Sequence, residues 1–310
     1  MRPPLGDTET VKAQFLAVVN PAAGSGRCGQ LADAALERVR RTGIELRAVR
    51  TTRPGEATEL AREAYGQGLR NFLAVGGDGT AYEIVNGLFP EASTGGRPTL
   101  GFLPLGTGNS FLKDFTVRGI EHTIEALQSG HRRAGDVIRL RHAEGELYFL
   151  NLVSLGFPAD VGDLTNRRFK RWGELGYVLG VFTRLARLRH LPFPHRLDNA
   201  ADWDRRPVLF LSFSNSKFTG GKMMIAPKAD ATDGLIEYVR WSPIGRLGLL
   251  WNLPRLFTGT HINHPHASRA GAKRIELDLD GPSNVLVDGE ILHLKCRSLE
   301  ILPGALDVAV

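Results

Sequence analysis

The sequence predicts a chain in two parts: an α/β half built on a parallel sheet, then a mostly antiparallel β half that packs as a sandwich. Three observations predict this. Up to about residue 138, short apolar runs alternate with segments of helical period, as in a sheet covered by helices. Each of those runs ends in a small, polar or glycine-rich loop, and in such sheets the loops share one rim at the carboxyl ends of the strands. From about residue 139, strand-like runs follow one another without long helices, and some alternate like strands that face water on one side.

After a polar start, FLAVV at 15–19 reads as a buried strand and NPAAGSG at 20–26 as the turn after it. Leu31, Ala35, Leu36 and Val39 follow at helical spacing. A second strand at 44–49 runs into Thr51-Thr52-Arg53-Pro54-Gly55, and a helix at 56–65 leads to the central stretch. That stretch, FLAVGGDGTAYEIVNGL at 72–88, is an apolar strand, a glycine turn around Asp78, and the start of a helix; Thr80 and Glu83 have the spacing of a capping box. Strand, glycine turn and helix N-terminus in this order can cradle a phosphate, because backbone N–H groups approach an anion closely there. A plain βα turn would read the same way in isolation. A fourth strand at 99–103 repeats the pattern, ending in PLGTGNS at 104–110. Four such loops on one rim favour a nucleotide site over four unrelated turns.

Composition bounds the reading. The 310 residues suffice for roughly two cores, and the 42% hydrophobic and 23% charged fractions are ordinary for a soluble protein. A net charge of +6 suits an anionic nucleotide or an anionic membrane without proving either. The two cysteines, Cys28 and Cys296, lie far apart and offer neither a disulfide framework nor a zinc site. No signal peptide and no bilayer-spanning run is legible, so a cytoplasmic protein is expected, with no nucleic acid partner. The P-loop spacing is missing and no strand runs into G-x-G-x-x-G, which disfavours both common nucleotide signatures.

NPAAGSG, then GGDGT with Glu83-x-x-Asn86, then PLGTGN, together resemble the diacylglycerol kinase catalytic-domain family. That family includes sphingosine kinases and bacterial lipid kinases and is distantly related to NAD kinases through GGDGT. The resemblance covers nearly the whole chain and implies an ATP-dependent lipid kinase using Mg²⁺. It implies ATP binding by Asn20, Pro21, Ala22, Ala23, Gly24, Thr51, Gly76, Gly77, Asp78, Gly79, Thr80, Glu83 and Thr107, with Asp78 also organising Mg²⁺ and phosphates. An NAD kinase, or a non-catalytic lipid- or nucleotide-binding protein on the same scaffold, remains the alternative.

In the second half, two acidic groups stand out. Asp230 and Asp233, three residues apart in a loop entering a strand, could form an Asx turn or, with the Leu235 carbonyl, hold a hard cation. The family resemblance favours Mg²⁺. Asp288-Gly289-Glu290 reads from the residues alone as a hairpin turn. The resemblance makes Glu290 the general base that takes the proton of the lipid hydroxyl, with Asp288 assisting or sharing the role. Between about 165 and 190 an insertion combines apolar residues at helical spacing with Arg167, Arg168, Lys170, Arg171, Arg184, Arg187 and Arg189. It fits a basic helix lying on a membrane surface as well as a solvated surface helix. The apolar–basic segment at 244–257 is equally open, with Pro254 limiting a helix there. An acceptor pocket lined by Phe157, Phe169, Trp172, Tyr177 and Phe182 is expected from position. The nucleotide domain is expected at 1–138, with a tail at about 298–310 returning to it, and the acceptor domain at 139–297. An exposed β-domain edge could pair two chains in a homodimer.

Overall fold

The structure is a computed structural model that describes residues 14–164, 183, 185 and 188–310. The first half opens with five elements: β1 (Phe15–Val19), α1 (Arg27–Arg41), β2 (Leu46–Arg50), α2 (Glu56–Gly66) and β3 (Asn71–Gly76). Then come α3 (Asp78–Leu88), β4 (Thr99–Pro104) and α4 (Ile120–Ser129). The strands lie in the order β2-β1-β3-β4, all parallel. All five residues of β1 are buried, because helices cover both faces of the sheet. One face packs Phe15, Ala17, Val19, Leu73 and Val75 against Cys28, Ala32 and Leu36 of α1. The other packs Leu16, Val18, Phe72 and Ala74 against Ala57 and Ala61 of α2 and Ile84 and Val85 of α3.

This order fixes where a ligand can bind. From β1 the chain crosses to β2 on one side and later returns to β3 on the other. The chain therefore leaves β1 and β3 in opposite directions, the switch point at which such sheets form a ligand crevice at the carboxyl ends of their strands.

Beyond β4 the sheet continues into the second half without a break. The 14-residue strand Cys296–Ala309 pairs parallel with β4 through Asp307 and Val308, and antiparallel with β5 (Arg132–His142) along most of its length. One continuous strand thus belongs to both halves. β6 (Gly145–Phe149), Arg274–Leu277 and His195–Leu197 complete this nine-stranded sheet. A second sheet of six antiparallel strands faces it, in the order Ala267–Ala272, Ile236–Trp241, Phe210–Ser214, β7 (Leu152–Gly156), Ser283–Val287 and Glu290–Leu294. Ile138, Leu140, Phe149, Val153, Phe213, Val285 and Leu299 fill the space between them. The α/β half and the antiparallel sandwich predicted from the sequence are both present.

One local expectation changes. The capping box does not form: α3 begins at Asp78, so Thr80 already lies inside its first turn with a buried hydroxyl that has no partner, and no side chain caps the helix. After PLGTGNS the chain makes a 3₁₀ turn at Phe111–Asp114. The expected basic insertion, including Phe169, Trp172, Tyr177 and Phe182, falls largely outside the described residues.

Candidate active site

The rim is assembled by backbone packed on backbone. The amide of Gly106 donates to the Gly76 carbonyl at 2.7 Å. A Cβ on Gly106 would stand 2.5 Å from the Cα of Gly77, and one on Gly76 would stand 2.3 Å from Oγ1 of Thr80. Only glycine allows the loops after β3 and β4 to touch in this way. The loop after β1 joins them, since a Cβ on Gly24 would meet the Leu105 carbonyl at 2.8 Å. Asn20 closes that loop by accepting the Ala22 amide at 3.1 Å, and Thr51 hangs from the Val19 carbonyl by its own amide at 2.8 Å. Pro21, Ala22 and Ala23 lie in the turn between, and Thr107 is exposed at the tip of its loop.

Asp78 opens α3 and spans two loops: its carboxylate accepts the amides of Ser110 at 2.8 Å and Phe111 at 3.2 Å. Glu83 faces elsewhere, with Oε1 accepting the Gly55 amide at 3.0 Å and Oε2 the Ala57 amide at 3.1 Å. It caps the N-terminus of α2 and so fixes the Thr51–Gly55 turn against α3. Asn86, which the sequence offered only as part of a motif, ties α3 to the other half. Its amide nitrogen donates to the Tyr148 carbonyl at 2.8 Å, and its oxygen accepts the Tyr148 amide at 2.9 Å.

Across the crevice stands the hairpin between Ser283–Val287 and Glu290–Leu294, in which Val287 pairs with Glu290. Asp288 and Gly289 have φ of 45° and 94°, the two positive values of a type I′ turn. Asp288 is buried. Its Oδ2 accepts the Leu150 amide at 2.9 Å, and its Oδ1 accepts Asn151 at 2.9 Å and Leu152 at 3.0 Å. Burial still pushes its pKa up to about 7 against those bonds, and the negative charge of Asp78 adds to the rise. Glu290 is exposed, and its Oε1 lies 3.6 Å from where a Cβ on Gly79 would be. The hairpin therefore presents one free carboxylate directly over the first turn of α3. The phenol of Tyr82, raised by burial and by the charges of Asp288, Glu290 and Glu83, lies in the same corner.

Asp230, Asp233 and Leu235 lie in a different place. Oδ1 of Asp230 accepts the Thr232 amide at 3.0 Å, and Oδ1 of Asp233 accepts the Leu235 amide at 2.9 Å. Asp136, which sequence reasoning missed, organises this loop: its two oxygens accept the amides of Gly234 and Gly304, each at 2.7 Å. Burial and the neighbouring charges of Asp233 and Asp230 raise the Asp136 carboxyl. Among the described residues no three or more His, Cys, Asp or Glu side chains are grouped to hold a metal ion. The donor set at the loop is two carboxylates with one oxygen each engaged, plus carbonyls. Oxygen-only donors suit a hard cation that keeps much of its water. A Thr80 hydroxyl without a partner beside a glycine turn likewise suits an anionic ligand at the rim.

Behind the hairpin lies a cavity of about 150 Å³, lined chiefly by apolar groups that include Phe157, Phe210, Trp241, Leu253, Leu256 and Leu286. Leu286 and Ser154 pair with each other on neighbouring strands, so the cavity wall leads along the strand into Asp288 and Glu290. Of the five expected lining residues, Phe157 alone is among the described residues.

Comparison with known proteins gives this arrangement its family. Residues 14–140 match the model of the diacylglycerol kinase catalytic domain, and residues 151–310 match the YegS C-terminal NAD kinase beta sandwich-like domain. A diacylglycerol kinase of Mycobacterium tuberculosis is 28% identical over 297 residues, covering 94% of this chain and 93% of the relative. A YegS-like lipid kinase of Chromohalobacter salexigens is 37% identical over 218 residues, 69% of this chain and 68% of its own length. A crystal structure of a Bacillus anthracis diacylglycerol kinase shares the fold, with a TM-score of 0.70 at 22% identity, covering 97% of this chain and 98% of that one. With both halves matched in order across a shared crevice, this chain belongs to the diacylglycerol kinase and YegS-like lipid kinase family and is a kinase.

Proposed function

We propose that the chain transfers the γ-phosphate of ATP to the hydroxyl of a lipid such as diacylglycerol or a sphingoid base. The observation that supports this most is the approach of Glu290 to Gly79, which brings a free carboxylate of the acceptor half over the glycine rim of the nucleotide half. ATP is held by the loops at Asn20–Gly24, Thr51, Gly76–Thr80 and Thr107, mainly through backbone N–H groups. Glu83 and Asn86 work one layer further out, holding α3 to α2 and to β6. Glu290 accepts the proton of the acceptor hydroxyl as that oxygen attacks the phosphorus in line with the departing ADP. Asp288 keeps its two oxygens on three backbone amides, so it positions the hairpin and leaves the proton to Glu290.

Asp230 and Asp233, with the Leu235 carbonyl, would hold Mg²⁺, and Asp78 would orient the ion that accompanies the nucleotide. Mg²⁺ neutralises phosphate charge when bound. The apolar cavity beside the hairpin suits an acyl or alkyl chain and leaves the hydroxyl near Glu290. Such an enzyme works on the side of a membrane where ATP is present.

The test is transfer of labelled phosphate from ATP·Mg²⁺ to a panel of hydroxyl lipids in mixed micelles, with NAD in a parallel reaction. A labelled lipid is the expected product and names the acceptor class. Labelled NAD with no labelled lipid would overturn the reading, as would tight ATP binding with no transfer to any acceptor.

A further inference from the structure

The acceptor half carries an apolar surface that its own core does not use. Two short helices, Arg246–Asn252 and Arg255–Thr258, close one side of the apolar cavity. Leu249, Leu253 and Leu256 turn inward and line it. Leu247 and Trp251, one turn apart on the first helix, point the other way and are 82% and 79% exposed. Phe257 does both: it lines the cavity and is still 53% exposed, so it marks where the cavity meets the surface.

The charge on these two helices has one sign. From residue 238 to 275 the chain contains no aspartate or glutamate, and Arg246 and Arg255 open the two helices with exposed side chains. Arg240, Arg269 and Arg274 are paired with Asp204, Glu237 and Glu276. Arg255 flanks the exposed apolar face; burial, then the charges of His266 and Arg255, lower the His264 pKa. A positive field around two exposed apolar side chains is complementary to one kind of partner, an anionic lipid surface. Neither helix can cross a bilayer: seven residues rise only about 10 Å, against the roughly 30 Å of a hydrocarbon core. No helix among the described residues is long and apolar enough to do so. Short helices of this composition lie in the interface, where tryptophan prefers to sit with its ring at headgroup level.

We propose that Leu247, Trp251 and Phe257 form a docking surface for an anionic phospholipid bilayer, seating the mouth of the apolar cavity at the membrane. Docking there lets an acceptor pass from the bilayer into the cavity without exposing its chains to water. This rests on the lipid-kinase reading for its purpose, although vesicle binding can be measured without any phosphoryl transfer.

The experiment uses the full chain and sucrose-loaded vesicles of phosphatidylcholine alone or with one-third phosphatidylglycerol. Wild type is expected to sediment with the anionic vesicles, more weakly with neutral ones, and less as salt rises. Leu247→Ala/Trp251→Ala is expected to bind the anionic vesicles at least about tenfold more weakly. Both side chains are mostly solvent-exposed, so the double variant should keep its melting temperature. Trp251→Phe should lose most of the blue shift in tryptophan fluorescence that vesicles induce. Turnover of a short-chain, water-soluble acceptor should be unchanged in the double variant, which separates a docking defect from a failed kinase reading. Equal vesicle binding by wild type and the double variant would overturn the proposal. So would wild type that ignores vesicles and runs as a dimer that the double substitution converts to a monomer, since the face would then be covered by a second copy.

Discussion

The two walls of the crevice are built from different materials. The wall proposed for the nucleotide is main chain: Gly24, Gly76, Gly77 and Gly106 bring three loops into contact. The opposite wall is side chain: one hairpin supplies a buried acid whose oxygens are all engaged and, two residues on, an acid that is free. A main-chain wall can be rigid and indifferent to which nucleotide base is attached. A side-chain wall can place a single proton acceptor. The difference predicts how each wall should fail: the first through shape, the second through the loss of one carboxylate.

Asp78 ties the loop after β3 to the loop after β4 and should show the largest effect among the rim substitutions. Asp78→Ala is expected to lower turnover by about 100-fold or more, because the site loses charge and the Ser110 and Phe111 amides lose their acceptor. Phosphate transfer under saturating ATP measures this, and near-normal turnover would remove Asp78 from the site. On the other wall, Asp288→Ala should behave as a structural lesion, costing on the order of 3 kcal/mol as three amides lose their acceptor in a buried place. Urea denaturation reads it; an unchanged midpoint with lost activity would instead make Asp288 a chemical participant. Gly106→Ala sharpens the shape argument. A methyl group that meets Gly77 at 2.5 Å must prise the loops apart, and ATP affinity should fall by about tenfold or more.

The smallest effect concerns how the two halves are held together. Asp114 accepts the Lys217 amide at 3.0 Å, Gly221 donates its amide to Ser110 Oγ at 3.1 Å, and Lys113 donates to the Gly221 carbonyl. Burial raises the Asp114 carboxyl to about 6. An unfolded aspartate releases its proton near pH 4, so between about pH 4 and 6 the folded chain holds a proton the unfolded chain has lost. Stability contributed by this group is therefore greatest at low pH and falls as pH rises through that window, by on the order of 1–3 kcal/mol. Asp114→Asn should flatten this part of the pH profile of the urea midpoint; a profile identical to wild type would contradict it.

The main-chain wall was legible in the sequence because its signals are local. Glycine placed after a short apolar strand reports a turn and a close approach wherever it occurs. The sandwich was legible for a similar reason, through runs of strand-like residues without helices between them. What escaped was long-range. Glu83 has the spacing of a capping partner for Thr80, yet its carboxylate reaches the start of α2, and no local rule says which helix it will cap. Asp136 carries no local signal in the sequence, although it pins both Gly234 and Gly304. The two acids of the hairpin look equivalent in the sequence. Only the fold reveals that Leu150, Asn151 and Leu152 bring their amides to one of them and leave the other free.

The most direct measurement compares wild type with Glu290→Gln for ATP affinity, melting temperature and labelled phosphate transfer to the preferred lipid. Because Glu290 is exposed, the variant should melt as wild type does and bind ATP equally well, while kcat falls by about 100- to 10,000-fold. Transfer at the wild-type rate would contradict the assignment of the free carboxylate of the hairpin as the base.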